Sequence, residues 1–220
     1  MNSIISTSIG KKVAMSLSAI FLMIFLLQHF LINITSVFSP DLFNFLSHFM
    51  GNNPLIQFLL QPLLISGVFF HFIMGFYLEY KNKLARNYKY NITLENANST
   101  WMSRNMLLSG FVILLFLLLH FYDFWVPEIN YKYINFLDPD PERYYFELIH
   151  KFENPIRVFL YCFSFILLSL HLLHGFNSSL KSLGTKNKYI HSIRGINYFF
   201  SIIIPFGFCF IAIYHYLNKL

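Results

Sequence analysis

Histidine is the residue type that could perform chemistry in this chain. The sequence has nine histidines, and five of them lie inside long apolar stretches: His29, His71, His120, His171 and His174. An ionisable side chain in an apolar segment of a membrane is costly, so each is a candidate for function. The carboxylates and amines that proton or substrate transport would use are missing from the same stretches. A neutral imidazole remains, and neutral imidazole is a ligand for haem iron.

The composition indicates where these histidines lie. Apolar residues make up 56% of the 220 residues, charged residues 12%, and the mean hydropathy is +0.52. A soluble domain carries about twice that charged fraction, and a disordered chain needs low hydrophobicity. Both classes are therefore excluded, and an integral membrane protein remains. The cysteines, Cys162 and Cys209, are too few and too apolar in context for a disulfide scaffold or a thiolate metal site.

Five charge-poor stretches are each long enough to cross a bilayer as a helix, which takes about 18 residues or more. They predict an all-α integral membrane protein formed by one transmembrane domain, residues 1–220, with five helices in a haem-binding bundle. We interpret the first stretch as a retained helix, because it is longer than a signal-peptide core and no small-residue cleavage site follows. The predicted helices cover residues 13–37, 55–80, 104–125, 155–181 and 196–217.

The basic residues predict the orientation of these helices. With the N-terminus inside, 11 of the 16 lysines and arginines fall on the inner side and 5 on the outer side. The outer loop 126–154 is also acidic. Basic residues concentrate on the cytoplasmic side of membrane proteins. We therefore expect a cytoplasmic N-terminus and an external C-terminus.

Depth sorts the histidines into two layers. At a rise of about 1.5 Å per residue, His71 and His171 lie roughly 14 Å from the inner ends of their helices. By the same rise, His29 and His120 lie roughly 24 Å deep, so the layers are roughly 10 Å apart. Four histidines on four helices thus predict two haems stacked across the membrane. The fifth predicted helix has no histidine in mid-span and is interpreted as scaffold.

Glycine follows both inner histidines. Gly75 lies four residues after His71, and Gly175 four residues after His171, one helical turn away on the same face. A missing side chain there would let a flat macrocycle approach the backbone, although both glycines could equally serve helix packing. A membrane histidine can also simply hydrogen-bond a neighbouring helix. His174 could replace His171 as ligand; depth and the glycine favour His171. No internal repeat is evident along the chain.

Four segments resemble a known family. They are Gly10-Lys11-Lys12 before helix one, Trp101-Met-Ser-Arg104 before helix three, His120-Phe-Tyr-Asp-Phe-Trp125, and the segment from His171-Leu-Leu-His-Gly175 to Gly184. The chain resembles the single-subunit dihaem cytochrome b membrane anchor of succinate dehydrogenase and fumarate reductase, respiratory complex II. The resemblance is to the five-helix type found with menaquinone and covers essentially the whole chain.

The resemblance implies a function in respiratory electron transport and the tricarboxylic acid cycle. It implies a non-catalytic subunit in the bacterial inner membrane, with flavoprotein and iron–sulfur subunits bound on its cytoplasmic face. It also implies two haem b groups and menaquinone or another quinone as electron acceptor. One departure is Ser169, where some quinol-oxidising relatives have glutamate; serine favours succinate oxidation. The axial ligands implied are His29, His71, His120 and His171, which is the pairing that depth also gives.

Location near the inner end of the helices suggests contacts for the propionates of an inner haem. The candidate propionate contacts are Ser16, Trp101, Arg104 and Lys181.

Two functions of other classes stay open. One is a dihaem cytochrome b serving a hydrogenase or a formate dehydrogenase; the other is a haem-free transporter or structural membrane protein.

Overall fold

The computed structural model describes residues 7–85, 105–185 and 187–218, and helices account for nearly all of them, with no strand in these ranges. Five helices are long and apolar enough to cross a membrane. The predicted fold class, an all-α multi-pass membrane protein, is confirmed. In chain order the helices are α1 (Ser8–Phe38), α2 (Pro40–Asn52), α3 (Ile56–Leu84), α4 (Met106–Ile134), α5 (Arg143–Phe152), α6 (Pro155–Ser182) and α7 (Asn187–Tyr198, continued by Phe199–Ile203 and Ile204–Leu217).

Polar caps and backbone-specific residues mark several helix ends. The Thr7 side chain accepts a hydrogen bond from the backbone N–H of Gly10 at 3.0 Å, which starts α1. Asn154 caps α6 in the same way, and Pro155 fills the first helical position, where no N–H donor is needed. Gly184 follows α6 with a φ of 84°, the left-handed conformation that commonly terminates a helix.

The third predicted span is longer than the sequence suggested. The prediction ends it at residue 125, whereas α4 continues to Ile134 through a wide π-helical turn at Phe121–Trp125. Residues 126–134, which the prediction placed in the outer loop, therefore belong to the helix. Wide turns of this kind keep a helix continuous while changing its rotation, and their positions depend on packing.

Two short helices outside the spans were not predicted. Ser39 caps α2 by accepting from the backbone N–H of Leu42, and Pro40 follows it. Asn44 in α2 holds α5: its side-chain amide donates to the Glu142 carbonyl at 3.0 Å, and its side-chain oxygen accepts from the Tyr145 backbone N–H at 2.8 Å. The two helices thus form one cover over the outer end of the bundle.

Four of the long helices form a ring. Around it α1 contacts α3, α3 contacts α4, α4 contacts α6, and α6 contacts α1, while α7 packs outside against α1 and α6. Buried aromatic and aliphatic side chains of α6 and α7, such as Tyr161 and Ile204, form the main core. In contrast, α3 shows large apolar side chains outward, including Phe58, Phe69 and Ile73. Such a surface suits contact with lipid.

Candidate functional site

The outer histidine pair lies at opposite corners of the helix ring. The rings of His29 on α1 and His120 on α4 have their centroids 5.6 Å apart, with an angle of 86° between their planes. The two helices are diagonal in the ring, so both imidazoles point into the interior of the bundle. The structure therefore brings together the outer pair that sequence depth predicted.

Aromatic rings surround this outer pair. Phe25 stacks on His29 at 5.5 Å, Phe208 lies 5.6 Å from the same ring, and Phe124 lies 5.2 Å from His120. The Nδ1 atom of His120 is buried and has no hydrogen-bond partner among the described residues. A buried polar nitrogen without a partner is unusual in proteins and calls for a ligand or another explanation.

The inner pair has the same arrangement on the other diagonal. The rings of His71 on α3 and His171 on α6 lie 6.4 Å apart, at 67°. Among the described residues, the histidine ring paired with His71 is that of His171, as expected from depth. His174, three residues further along α6, is half-buried. The structure thus favours His171 as the partner of His71.

Each inner histidine also has a serine partner on a neighbouring helix. The Ser18 hydroxyl on α1 lies 3.1 Å from His71 Nδ1, and the Ser109 hydroxyl on α4 lies 3.2 Å from His171 Nδ1. The two contacts use the same ring nitrogen, so Nε2 is the nitrogen left for another ligand in both histidines. Sequence reasoning missed both serines.

The glycines near the inner pair contact methionines. A Cβ added at Gly75 would lie 3.4 Å from the terminal methyl of Met15, and one at Gly175 would lie 3.4 Å from that of Met106. These are ordinary contact distances, so the observed contacts fit the helix-packing role that the sequence left open. Approach of a macrocycle to these glycines stays a prediction.

The serine and methionine contacts of the inner pair reveal a short internal repeat, which the sequence analysis did not detect. Met, Ser, Phe and His occur with identical spacing in α1 and α4, and a His-x-x-x-Gly-Phe-x-x-x-x-Lys segment occurs in both α3 and α6. Each half of the repeat supplies one histidine to each pair. The repeated residues are Met15, Ser18, Phe25 and His29 with Met106, Ser109, Phe116 and His120, and His71, Gly75, Phe76 and Lys81 with His171, Gly175, Phe176 and Lys181.

The donor set fits a haem. The histidines lie in two pairs, and among the described residues no group of three or more His, Cys, Asp or Glu side chains could hold a metal ion. A pair supplies the two axial ligands that a porphyrin leaves open on its iron. With a metal–nitrogen bond of about 2.0 Å and a ring radius of about 1.2 Å on each side, two axial imidazoles have centroids about 6.4 Å apart. The inner pair has this separation, at 6.4 Å, and the outer pair is closer, at 5.6 Å.

The candidate propionate contacts are only partly described. Ser16 is buried, and its hydroxyl donates to the Lys12 carbonyl at 2.9 Å. Lys181 is exposed at the inner end of α6. Trp101 and Arg104 lie outside the described residues. Contact of these four residues with a propionate stays a prediction.

An ion pair with a buried carboxylate lies one helical turn beyond His120. The Asp123 carboxylate is fully buried, pairs with the Arg157 guanidinium and accepts from the Tyr161 hydroxyl at 2.9 Å. The Tyr161 ring in turn lies 6.3 Å from the His120 ring. This network joins α4 to α6 beside the outer pair. The signal in the sequence was an aspartate directly after an apolar run, which the prediction used only as part of a motif.

A second ionic network fastens the outer cover. Arg143 at the start of α5 pairs with Glu128 on α4 and with Glu147 at 2.6 Å, and Lys132 pairs with Glu128 at 2.5 Å. Burial alone would lower the pKa of the Arg143 guanidinium, but hydrogen bonds to the two carboxylates raise that pKa above its ordinary value. Arg143 therefore stays charged and holds α5 against α4.

The two histidine pairs thus occupy the two diagonals of one helix ring, and each pair supplies two imidazoles, the number of axial ligands that an iron porphyrin takes. The chain matches no protein-family model, no curated protein and no solved structure.

Proposed function

We propose that this chain is the cytochrome b membrane anchor of a succinate:quinone oxidoreductase, carrying electrons through two b-type haems. The electrons would pass between an iron–sulfur subunit and menaquinone or another quinone. One observation carries the proposal: histidine pairs at 5.6 and 6.4 Å on both diagonals of a membrane helix ring. The resemblance in the sequence segments described above supplies the choice of enzyme complex.

The four histidines would hold the haems. His29 and His120 would be the axial ligands of the outer haem, and His71 and His171 those of the inner haem. Haem, when bound, would supply reversible one-electron chemistry. The chain contributes axial ligation and a low-dielectric interior, in which aromatic rings around the outer pair exclude water.

The proposed partners follow from the charge distribution and the resemblance. The basic side, with 11 of 16 lysines and arginines, would face the cytoplasm of a bacterium and bind the flavoprotein and iron–sulfur subunits. Ser169, where some quinol-oxidising relatives have glutamate, is buried in α6. A serine is not a proton carrier at physiological pH, which supports succinate oxidation as the direction of the reaction.

The test is to purify the native complex in detergent and record its subunits and its reduced-minus-oxidised spectrum. We expect two low-spin b-type haems per chain, co-purifying flavoprotein and iron–sulfur subunits, and haem reduction by succinate. A hydrogenase or formate dehydrogenase catalytic subunit in the complex would instead support the other dihaem cytochrome. Absence of a Soret band would refute haem binding and leave a transporter or structural protein.

A further inference from the structure

We propose that Ser18 and Ser109 are positioning residues that fix the tautomer of His71 and His171, so that Nε2 of both imidazoles presents its lone pair to the inner iron. The inference rests on the proposed haem function. It assigns a role to two serines on helices that supply no ligand to that haem: α1 positions the ligand of α3, and α4 positions the ligand of α6.

The direction of the hydrogen bonds follows from counting protons. A serine hydroxyl has one hydrogen. The Ser18 hydroxyl lies 2.7 Å from the Met15 carbonyl, which can only accept, and 3.1 Å from His71 Nδ1, which can donate or accept. We assign the hydrogen to the shorter bond, to the carbonyl, so the Ser18 oxygen accepts from His71 Nδ1–H. A neutral imidazole has one N–H, so the lone pair of His71 is on Nε2.

The second serine gives the same result independently. Ser109 donates to the Met106 carbonyl at 3.0 Å, and its oxygen lies 3.2 Å from His171 Nδ1. His171 Nδ1 therefore carries the proton, and the free lone pair is again on Nε2. The two serines occupy equivalent positions of the internal repeat, so each inner histidine has the same kind of hydrogen bond to a serine on a neighbouring helix.

The hydrogen bonds also affect the iron. An N–H that donates to an acceptor leaves more electron density on the other ring nitrogen, which makes the imidazole a more basic ligand. A more basic ligand stabilises ferric over ferrous iron. Each serine is therefore expected to lower the midpoint potential of the inner haem, and removing its hydroxyl should raise that potential.

The experiment uses the native complex with Ser18→Ala, Ser109→Ala and the double variant. The readout is a redox titration of the haem spectrum; the inner haem is identified as the signal that His171→Ala removes. A net neutral hydrogen bond corresponds to about a fivefold change in an equilibrium. Each single variant should raise the ratio of reduced to oxidised inner haem about fivefold at fixed potential, which is about 40 mV at 59 mV per tenfold. The double variant should give about 80 mV by the same conversion.

Three controls separate positioning from packing. Ser164→Ala removes a buried hydroxyl of α6 that donates to the Leu160 carbonyl at 2.7 Å, and it should leave both potentials unchanged. Ser18→Thr keeps the hydroxyl and should restore the original potential. The outer haem, with ligands on the other diagonal, serves as an internal reference in every variant.

The outcomes distinguish this proposal from the proposed function. An unchanged inner potential in Ser18→Ala and Ser109→Ala complexes that hold both haems would overturn the positioning role and leave the function intact. Loss of the inner haem from Ser18→Ala but not from Ser18→Thr would support it, and loss from both would overturn it, because volume would then matter and the hydroxyl would not. A wild-type complex without haem would refute the function itself.

Discussion

Replacing His171 by alanine tests the assignment of the inner pair most directly. The His71 and His171 rings lie 6.4 Å apart, and the alanine methyl cannot reach an iron placed between them. His174 cannot take over: it lies about 4.5 Å along the helix axis, three residues at about 1.5 Å each, and an iron–nitrogen bond is only about 2 Å long. Substitution of the ligand therefore needs a register shift of α6.

We expect the number of haems per chain to fall from about two to about one in His171→Ala, or the inner haem to become five-coordinate and high-spin. The outer haem should keep its spectrum, because His29 and His120 lie on the other diagonal. Pyridine haemochrome assay gives the haem content, and electron paramagnetic resonance gives the spin state. Succinate-dependent quinone reduction should fall at least tenfold, whereas reduction of an artificial dye by the soluble subunits should persist.

The matched control is His174→Ala, on the same helix and the same side. It should keep both haems and most of the quinone reductase activity. The reverse result, with His174→Ala losing the inner haem and His171→Ala keeping it, would refute our assignment on α6. If His171→Ala lost both haems, the two histidine pairs would not bind their haems independently, and that part of the reasoning would be refuted.

Three further predictions concern the cofactor, the topology and the outer ion pair. Acidic acetone should extract all haem, because the sequence has no Cys-x-x-Cys-His segment; covalently retained haem would contradict the assignment of both haems as b-type. Reporter fusions after Lys89 and Lys188 should be cytoplasmic and one at Asp140 external, since 11 of the 16 basic residues fall on the inner side; an external Lys89 fusion would reverse the orientation. Arg157→Leu leaves the fully buried Asp123 carboxylate without its cation and should destabilise the protein by about 3–5 kcal/mol in detergent unfolding experiments. The double variant with Asp123→Leu should recover most of that loss, and a double variant no more stable than the single one would contradict the electrostatic reasoning.

The membrane spans could be predicted because they depend on local composition. A bilayer requires about 20 apolar residues in a helix, and the charge-poor stretches show this directly. The continuation of α4 to Ile134 could not be predicted in the same way. Its outer end is amphiphilic, and it remains helical because Glu128 pairs with Lys132 and Arg143. Glu128 and Lys132 both lie on α4, but Arg143 comes from α5. The contact between Arg143 and Glu128 is therefore tertiary, and local sequence does not show it.

The histidine pairing could also be predicted, because depth in a membrane is proportional to position in the sequence. Depth gives His29 with His120 and His71 with His171, and the rings of both pairs are in contact. Depth does not show which helices lie opposite each other. The order of α1, α3, α4 and α6 around the ring depends on packing, and this order places the two histidines of each pair on opposite helices, facing each other.

Rotation about the helix axis explains why depth alone could not identify Ser18 as the partner of His71. Both serines lie near the inner end of α1, so depth alone treats them alike. Successive helical residues are rotated by about 100°, so residues two apart point about 200° apart, and only one of the two can face His71. The structure shows that it is Ser18, whereas Ser16 bonds to the Lys12 carbonyl. The internal repeat contains the missing information, because Ser18 has an equivalent in Ser109 at the same distance from the outer histidine, whereas the residue equivalent to Ser16 is a leucine. A polar residue retained in both halves of such a repeat indicates the face of the helix that meets the ligand, and depth and repeat together would have identified both serines from the sequence.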